Sequence, residues 1–79
     1  MSALYLKRLH ELSPGECGEI ELIEDKGAVT QRLMALAMLP GATVRVMRVA
    51  PFGDPIMLRV GESRISMRRE DAARVLIKV

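Results

Sequence analysis

Apolar residues recur at two different spacings along this chain, and the change between them constrains the fold more than any other feature. From residue 17 to residue 25 apolar and polar side chains alternate. Ile20 and Leu22 then lie on one face, with Ile23 on the other. This alternation predicts a strand with one solvated face.

From residue 28 to residue 38 the spacing becomes helical, because Val29, Leu33 and Leu36 recur at intervals of three and four. We expect these three side chains to face the core. The Pro-Gly pair at residues 40–41 is a helix stop signal. The sequence therefore predicts one helix over about residues 28–38.

The second half of the chain returns to alternation, with Val44 and Val46 on one face. The phase then slips to Met47 and Val49, which predicts a bulge or a strong bend near Met47. Strand patterns follow at residues 56–60, 65–67 and 76–79. Residues 69–74 are long enough for one helical turn. The predicted fold class is mainly β, a partly open antiparallel β-barrel of about five strands with one inserted α-helix and a short helical turn.

The length of the chain limits it to one small domain, which we expect to span residues 1–79. A chain of 79 residues buries only about 60% of its unfolded surface, which leaves little room for an enclosed active site. Cys17 is the only cysteine, so no intrachain disulfide is expected. Because neither a signal peptide nor a run of about 20 apolar residues appears, we expect a soluble cytoplasmic protein that is not embedded in a membrane.

The segment at residues 50–55, Ala-Pro-Phe-Gly-Asp-Pro, holds the only phenylalanine of the chain and a carboxylate between a glycine and a proline. Pro51 presets the first corner of a turn, and Gly53 can take the left-handed position after it. We interpret the segment as a hairpin turn that presents Phe52 at its tip. Asp54 is then expected to hydrogen-bond to backbone in the loop rather than to ligate a metal.

Neither metal binding nor catalysis has a clear sequence motif. His10, Cys17, Asp54 and the methionines are the candidate ligands, but no pair has the close spacing of a zinc site. Methionines at helical spacing are explained by core packing. No phosphate loop, nucleophile elbow or distinctive carboxylate pair is present. We predict no enzyme, no cofactor and no resident metal.

Nucleic-acid binding is the next alternative, because residues 41–79 carry eight basic and four acidic side chains. Phosphates could be held by a group of arginines: Arg45, Arg48, Arg59, Arg64, Arg68 and Arg69. Stacking on bases would need aromatic side chains, and only Phe52 and Tyr5 are available. We therefore predict no nucleic-acid partner.

The end of the helix is apolar on more sides than a short surface helix can bury. If Val29, Leu33 and Leu36 face the core, then Met34, Met38 or Leu39 is left near the surface. Two interpretations remain open: the helix lies in a covered cleft, or these side chains form a docking patch.

Three segments, LPGATVRVMRVAPFGDPIMLRV, RISMRREDA and the final VLIKV, resemble the FeoA family of small cytoplasmic proteins of bacterial ferrous iron uptake. The upstream segments LSPGECGEIELIE and QRLMALAMLPGA are similar to the opening strand and helix of that family. One residue departs from the family pattern, since Ala37 stands where glycine is usual. Because alanine is strained at positive φ, we expect the helix to run further or to end differently.

The resemblance implies an SH3-like β-barrel and a non-enzymatic adaptor that binds the cytoplasmic part of FeoB, a membrane transporter with a GTP-binding domain. The expected contacts are Met34, Met38 and Leu39 at the helix end, Phe52 and Asp54 on the hairpin, and Arg45 and Arg59 as a basic complement. The alternatives are a small Fe(II)-binding chaperone and a nucleic-acid-binding barrel. Self-association is left open by barrel edges and the apolar helix.

Overall fold

A computed structural model describes residues 5–25 and 27–79, and its centre is a six-stranded antiparallel sheet. The strands are β1 (Leu6–Arg8), β2 (Cys17–Ile23), β3 (Thr43–Val49), β4 (Ile56–Val60), β5 (Ser63–Met67) and β6 (Val75–Lys78). Their order in the sheet is β1-β6-β2-β3-β4-β5. Since β1 and β5 lie at the two ends of this order, the sheet is open between them. The mainly β, antiparallel prediction is confirmed.

Two α-helices and one 3-10 helix connect these strands. Helix α1 (Ala28–Ala35) follows β2, helix α2 (Arg69–Ala72) precedes β6, and a 3-10 turn spans Leu9–Glu11. The predicted helix over residues 28–38 is three residues too long, and the predicted turn over 69–74 is two too long. No strand was expected at β1, which pairs with β6 at the sheet edge.

The core is aliphatic and lies on the concave face of the sheet. Its buried side chains come from every strand except β1: Leu9, Leu12, Ile20, Leu33, Met38, Val44, Val46, Ile56, Leu58, Val60, Ile65, Met67, Ala72, Val75 and Ile77. Full burial of one such leucine, isoleucine or valine contributes about 1.5–3 kcal/mol. The core therefore stabilises the fold without any large aromatic residue.

Two β-bulges determine which side chains face this core. The bulge expected at Met47 is confirmed, because Val46 pairs with Leu58 and Arg48 with Met57, which leaves Met47 without a partner in the register. A second bulge was not expected.

The second bulge lies at Glu21, between the pairs Ile20–Ile77 and Leu22–Leu76. The extra residue reverses the alternation of β2 after Ile20. Leu22 is consequently 41% exposed, and Ile23 packs against the core. The expectation that Ile20 and Leu22 share the inner face was wrong.

Ion pairs join segments of the chain that are distant in sequence. Arg32 of α1 lies 2.8 Å from Asp71 of α2, and Arg74, just before β6, lies 3.6 Å from Asp25, two residues after β2. Arg8 pairs with Glu24. None of the helices in the described part of the chain is long and apolar enough to cross a membrane.

Candidate partner-binding site

The β3–β4 hairpin ends in the predicted tight turn. The N–H of Gly53 donates to the carbonyl of Ala50 at 2.7 Å, and the N–H of Ala50 donates to the carbonyl of Pro55 at 3.1 Å. Gly53 takes the left-handed conformation at φ +83°, as expected. This geometry leaves Phe52 at the tip, 98% exposed. An aromatic side chain so exposed is available to a partner.

Asp54 does not hydrogen-bond within its own loop. Its Oδ1 accepts the backbone N–H of Arg69, at the start of α2, at 2.9 Å. The expected backbone hydrogen bond is therefore present, but its donor lies outside the hairpin. A carboxylate in this position offsets the positive end of α2 and fixes the hairpin against it.

The end of α1 shows why Met38 cannot contact a partner. Ala37 takes φ +65°, and the N–H groups of Ala37 and Met38 donate to the carbonyls of Met34 and Leu33, both at 3.0 Å. This is a Schellman motif, with alanine at the position that glycine usually takes. The expectation that the helix would avoid this ending was wrong.

The turn at Ala37 sends Met38 back into the core, where it is fully buried beside Leu33. The proposed contact at Met38 is therefore withdrawn. Leu36, expected to face the core, is instead 41% exposed. Met34 and Leu39 are 48% and 42% exposed, so they remain candidate contacts.

Arg45 and Arg59 lie directly opposite each other on β3 and β4, and Arg59 in turn lies opposite Arg64 on β5. The Arg45 side chain donates to the carbonyl of Gly15 at 2.8 Å, and Arg59 donates to the carbonyl of Gly61 at 3.2 Å. Neither guanidinium pairs with a carboxylate in the described part of the chain. The outer face of β3, β4 and β5 therefore carries a row of three arginines.

The structure brings two of the residues weighed as metal ligands to one cleft and places Cys17 elsewhere. His10 and Asp54 line one open cleft beside α2. Cys17 is exposed on β2, opposite Arg45. Within residues 5–25 and 27–79, no three side chains of histidine, cysteine, aspartate or glutamate are grouped closely enough to hold a metal ion.

The carboxylate with a displaced pKa lies away from these surfaces. Backbone hydrogen bonds from Gly27 and then Thr30 lower the pKa of Asp25, and the Arg74 guanidinium lowers it further. Oδ2 of Asp25 accepts the N–H of Gly27 at 2.9 Å and that of Thr30 at 3.2 Å. Asp25 therefore anchors the start of α1 rather than a reactive site.

Sequence reasoning missed an apolar groove on the outer face of the sheet, lined by Met47, Ala50, Pro55 and Met57 together with two arginines. The signal was present in the phase slip at Met47. We predicted the bulge from it, but the exposure of Met47 on the outer face was not anticipated.

Comparison with known proteins gives the same assignment from sequence and from structure. The FeoA domain family matches residues 7–79. FeoA from Chlorobium tepidum is 34% identical, with a TM-score of 0.84 over 92% of this chain and 70% of that one. A zinc complex of Stenotrophomonas maltophilia FeoA, described as a prokaryotic SH3-domain protein, is 28% identical, with a TM-score of 0.77 over 96% of this chain and 89% of that one.

A fusion protein of Porphyromonas gingivalis is also similar, and it is named Fe(2+) transport protein A/Fe(2+) transporter FeoB. It is 33% identical over 72 residues, which make up 91% of this chain but only 8% of the fusion protein. The match thus covers a small part of a much longer polypeptide. The SH3-like fold is confirmed, and the chain belongs to the FeoA family, the family of ferrous iron transport protein A.

Proposed function

We propose that this protein is a cytoplasmic accessory protein of ferrous iron uptake that binds the cytoplasmic region of a FeoB-type transporter. FeoA proteins are non-catalytic accessory proteins, so binding rather than chemistry is the activity to explain. The observation that carries the proposal is the fusion protein of Porphyromonas gingivalis, in which a similar sequence and a transporter share one polypeptide.

The exposed apolar side chains support a binding function. Phe52 at the hairpin tip, and Met34 and Leu39 at the end of α1, expose 98%, 48% and 42% of their surfaces. Large apolar side chains left exposed on a small domain are typical of protein contacts. Asp54 supports the tip by its bond to Arg69.

The arginines on the outer face of the sheet favour a partner protein with an acidic surface. Arg45 and Arg59 lie side by side without a carboxylate partner among the described residues. Like charges placed directly opposite each other destabilise a sheet, so an acidic partner surface would relieve that repulsion. We propose that these two arginines accelerate and orient docking.

A direct binding measurement tests the proposal. The purified cytoplasmic region of the FeoB-type transporter from the same source is titrated with this protein by isothermal calorimetry, with and without a guanine nucleotide. We expect a saturable complex with a Kd in the micromolar range or below, about −8 kcal/mol at 1 μM. Failure to bind at high micromolar concentration in both nucleotide states would overturn the proposal.

A further inference from the structure

A groove of about 420 Å³ crosses the outer face of β3 and β4. Met57 lies between Arg48 on β3 and Ser66 on β5 in the register, and the bulge at Met47 adds a second methionine beside it. Ala50 and Pro55, beside the β3–β4 turn, also line the groove. Solvent-facing positions of a sheet are usually polar, so this apolar groove needs an explanation.

Arginines surround the groove on the same face. Arg48 and Arg64 line it directly, while Arg45, Arg59 and Arg64 form a row across three adjacent strands, one partner opposite the next. Neighbouring strands lie about 4.8 Å apart, so the backbone positions of these three arginines lie within about 10 Å of one another.

None of these four arginines pairs with a carboxylate in the part of the chain that the structure describes. The four ion pairs found there use other basic residues, namely Arg8, Arg32, Arg74 and Lys78. The described part of the chain therefore supplies no ionic partner for these four arginines.

We propose that the groove binds an acidic segment of a partner protein that carries one apolar anchor residue. The anchor lies between Met47 and Met57, and the carboxylates on either side of it pair with the surrounding arginines. Met57 and Arg59 are two residues apart on β4, a distance of about 6.8 Å along the strand. Alternate residues of an extended segment have the same spacing, so an apolar anchor at Met57 places a carboxylate beside Arg59.

The proposal deepens the proposed function, since it rests on the transporter's cytoplasmic region being the partner that supplies the segment. Nucleic acid is the competing occupant of a basic face. Single-stranded nucleic acid binds through aromatic stacking as well as phosphate contacts, and neither aromatic residue of this chain lines the groove. Methionines are instead typical of surfaces that bind apolar side chains.

A first experiment tests the groove without the transporter. The isotope-labelled protein is titrated with a synthetic peptide of glutamates and aspartates around a single leucine, and amide shifts are followed by NMR. We expect saturable shifts confined to residues 45–50, 55–59 and 64. Two control peptides, one with leucine replaced by serine and one with the acids replaced by their amides, should each bind at least about fivefold more weakly.

A second experiment uses variants with the transporter's cytoplasmic region. The double variant Arg48→Glu/Arg64→Glu should weaken binding at least about tenfold and reduce its dependence on salt. Met47→Ser should weaken binding without altering that salt dependence. The double variant Lys7→Glu/Lys78→Glu changes the net charge equally on β1 and β6, and neither of its positions lines the groove, so it should bind within about twofold of the wild type.

The outcomes separate the two proposals. Absent peptide shifts, or shifts outside the groove, would overturn the acidic-segment proposal whatever the transporter does. Equal transporter affinity of wild type and Arg48→Glu/Arg64→Glu would overturn it while leaving the proposed function intact. A single-stranded oligonucleotide that binds the same residues more tightly than the peptide would overturn it in favour of nucleic acid. If the peptide binds the groove and the transporter region does not bind at all, the proposed function fails, and with it the transporter as the source of the segment, while binding of acidic segments by the groove stands.

Discussion

Oδ1 of Asp54 lies 2.9 Å from the backbone nitrogen of Arg69, so the β3–β4 hairpin supplies the hydrogen-bond acceptor for the first residue of α2. The N-cap residue Arg68 has no side-chain capping bond of its own. A helix of four residues cannot satisfy its first N–H groups internally. The carboxylate therefore joins two elements that are distant in sequence and holds the base of the exposed tip in place.

Replacing Asp54 tests that connection. Asp54→Ala should lower the free energy of unfolding by about 1 kcal/mol, the usual cost of losing a helix-capping acceptor. Asp54→Asn is the matched control, because its amide oxygen keeps an acceptor while losing the charge, and it should cost less than half as much. Urea unfolding measures both. Equal losses for the two variants would show that charge, not the hydrogen bond, is what Asp54 contributes.

The strained residue at the end of α1 gives a stabilising substitution. Ala37 holds φ at +65°, a conformation that costs an L-residue about 1–2 kcal/mol and costs glycine almost nothing. Glycine is more disordered in the unfolded chain, which offsets part of this gain. Ala37→Gly should raise the free energy of unfolding by about 0.5–1 kcal/mol, or the Tm by several degrees.

Ala35→Gly is the control for Ala37→Gly, because it makes the same chemical change two residues earlier, at the last residue of α1. Glycine at a helical position should lower stability by about 0.5–1 kcal/mol. Opposite signs for the two substitutions would establish that the left-handed conformation causes the gain. A destabilised Ala37→Gly would show that Ala37 is not strained in the folded protein.

The lowered pKa of Asp25 predicts a pH-dependent stability. Hydrogen bonds from Gly27 and Thr30 and the nearby Arg74 favour the ionised carboxylate in the folded state. The folded pKa thus lies below the ordinary value of 3.8. Its contribution to stability is complete above that value and is lost as the pH falls through the folded pKa.

We therefore expect the stability difference between wild type and Asp25→Asn to shrink as the pH falls from about 5 to about 2. Thermal unfolding over this range measures it, and NMR titration of the Asp25 carboxyl carbon gives the pKa directly. Glu62→Gln removes an equal charge from the exposed β4–β5 turn and serves as the control. If the difference in free energy of unfolding between wild type and Asp25→Asn stays constant with pH, the hydrogen bonds to Asp25 do not stabilise its ionised form and the pKa is not lowered.

The elements that sequence periodicity located best are those whose alternation is uninterrupted. Strands were predicted at residues 56–60 and 65–67, and there Ile56, Leu58, Val60, Ile65 and Met67 are all buried in the core. Their hydrogen-bonded registers continue without a shift from β4 to β5. In such strands the local alternation is enough to predict which side chains face the core, because side-chain direction repeats every two residues.

The errors fall where one residue changes the direction of the chain. A bulge at Glu21 moves Leu22 outward, and the left-handed turn at Ala37 moves Met38 inward. Neither event alters composition or hydropathy, so periodicity alone assigns the wrong face to the apolar residue that directly follows it. Strand β1 was missed for a different reason, since its three residues are too few to show a period and are ordered by pairing with β6.

Phe52 and Met38 were both expected to contact a partner, but their different burial predicts different effects on stability. Phe52 is 98% exposed, so Phe52→Ala should leave the free energy of unfolding within about 0.5 kcal/mol of the wild type. Met38 is fully buried, so Met38→Ala should cost about 2–5 kcal/mol. Thermal unfolding of the two variants distinguishes these positions.

Affinity for the transporter's cytoplasmic region should show the opposite effects: Phe52→Ala should lower it and Met38→Ala should not. Phe52→Ala should weaken the complex at least about tenfold, as expected for an exposed aromatic anchor. Met38→Ala, measured at a temperature where it is fully folded, should bind like the wild type because its side chain does not reach the surface. Calorimetric titration gives both affinities. A Phe52→Ala variant that binds normally would remove the hairpin tip from the interface and leave the end of α1 and the arginine face as the contacts to test.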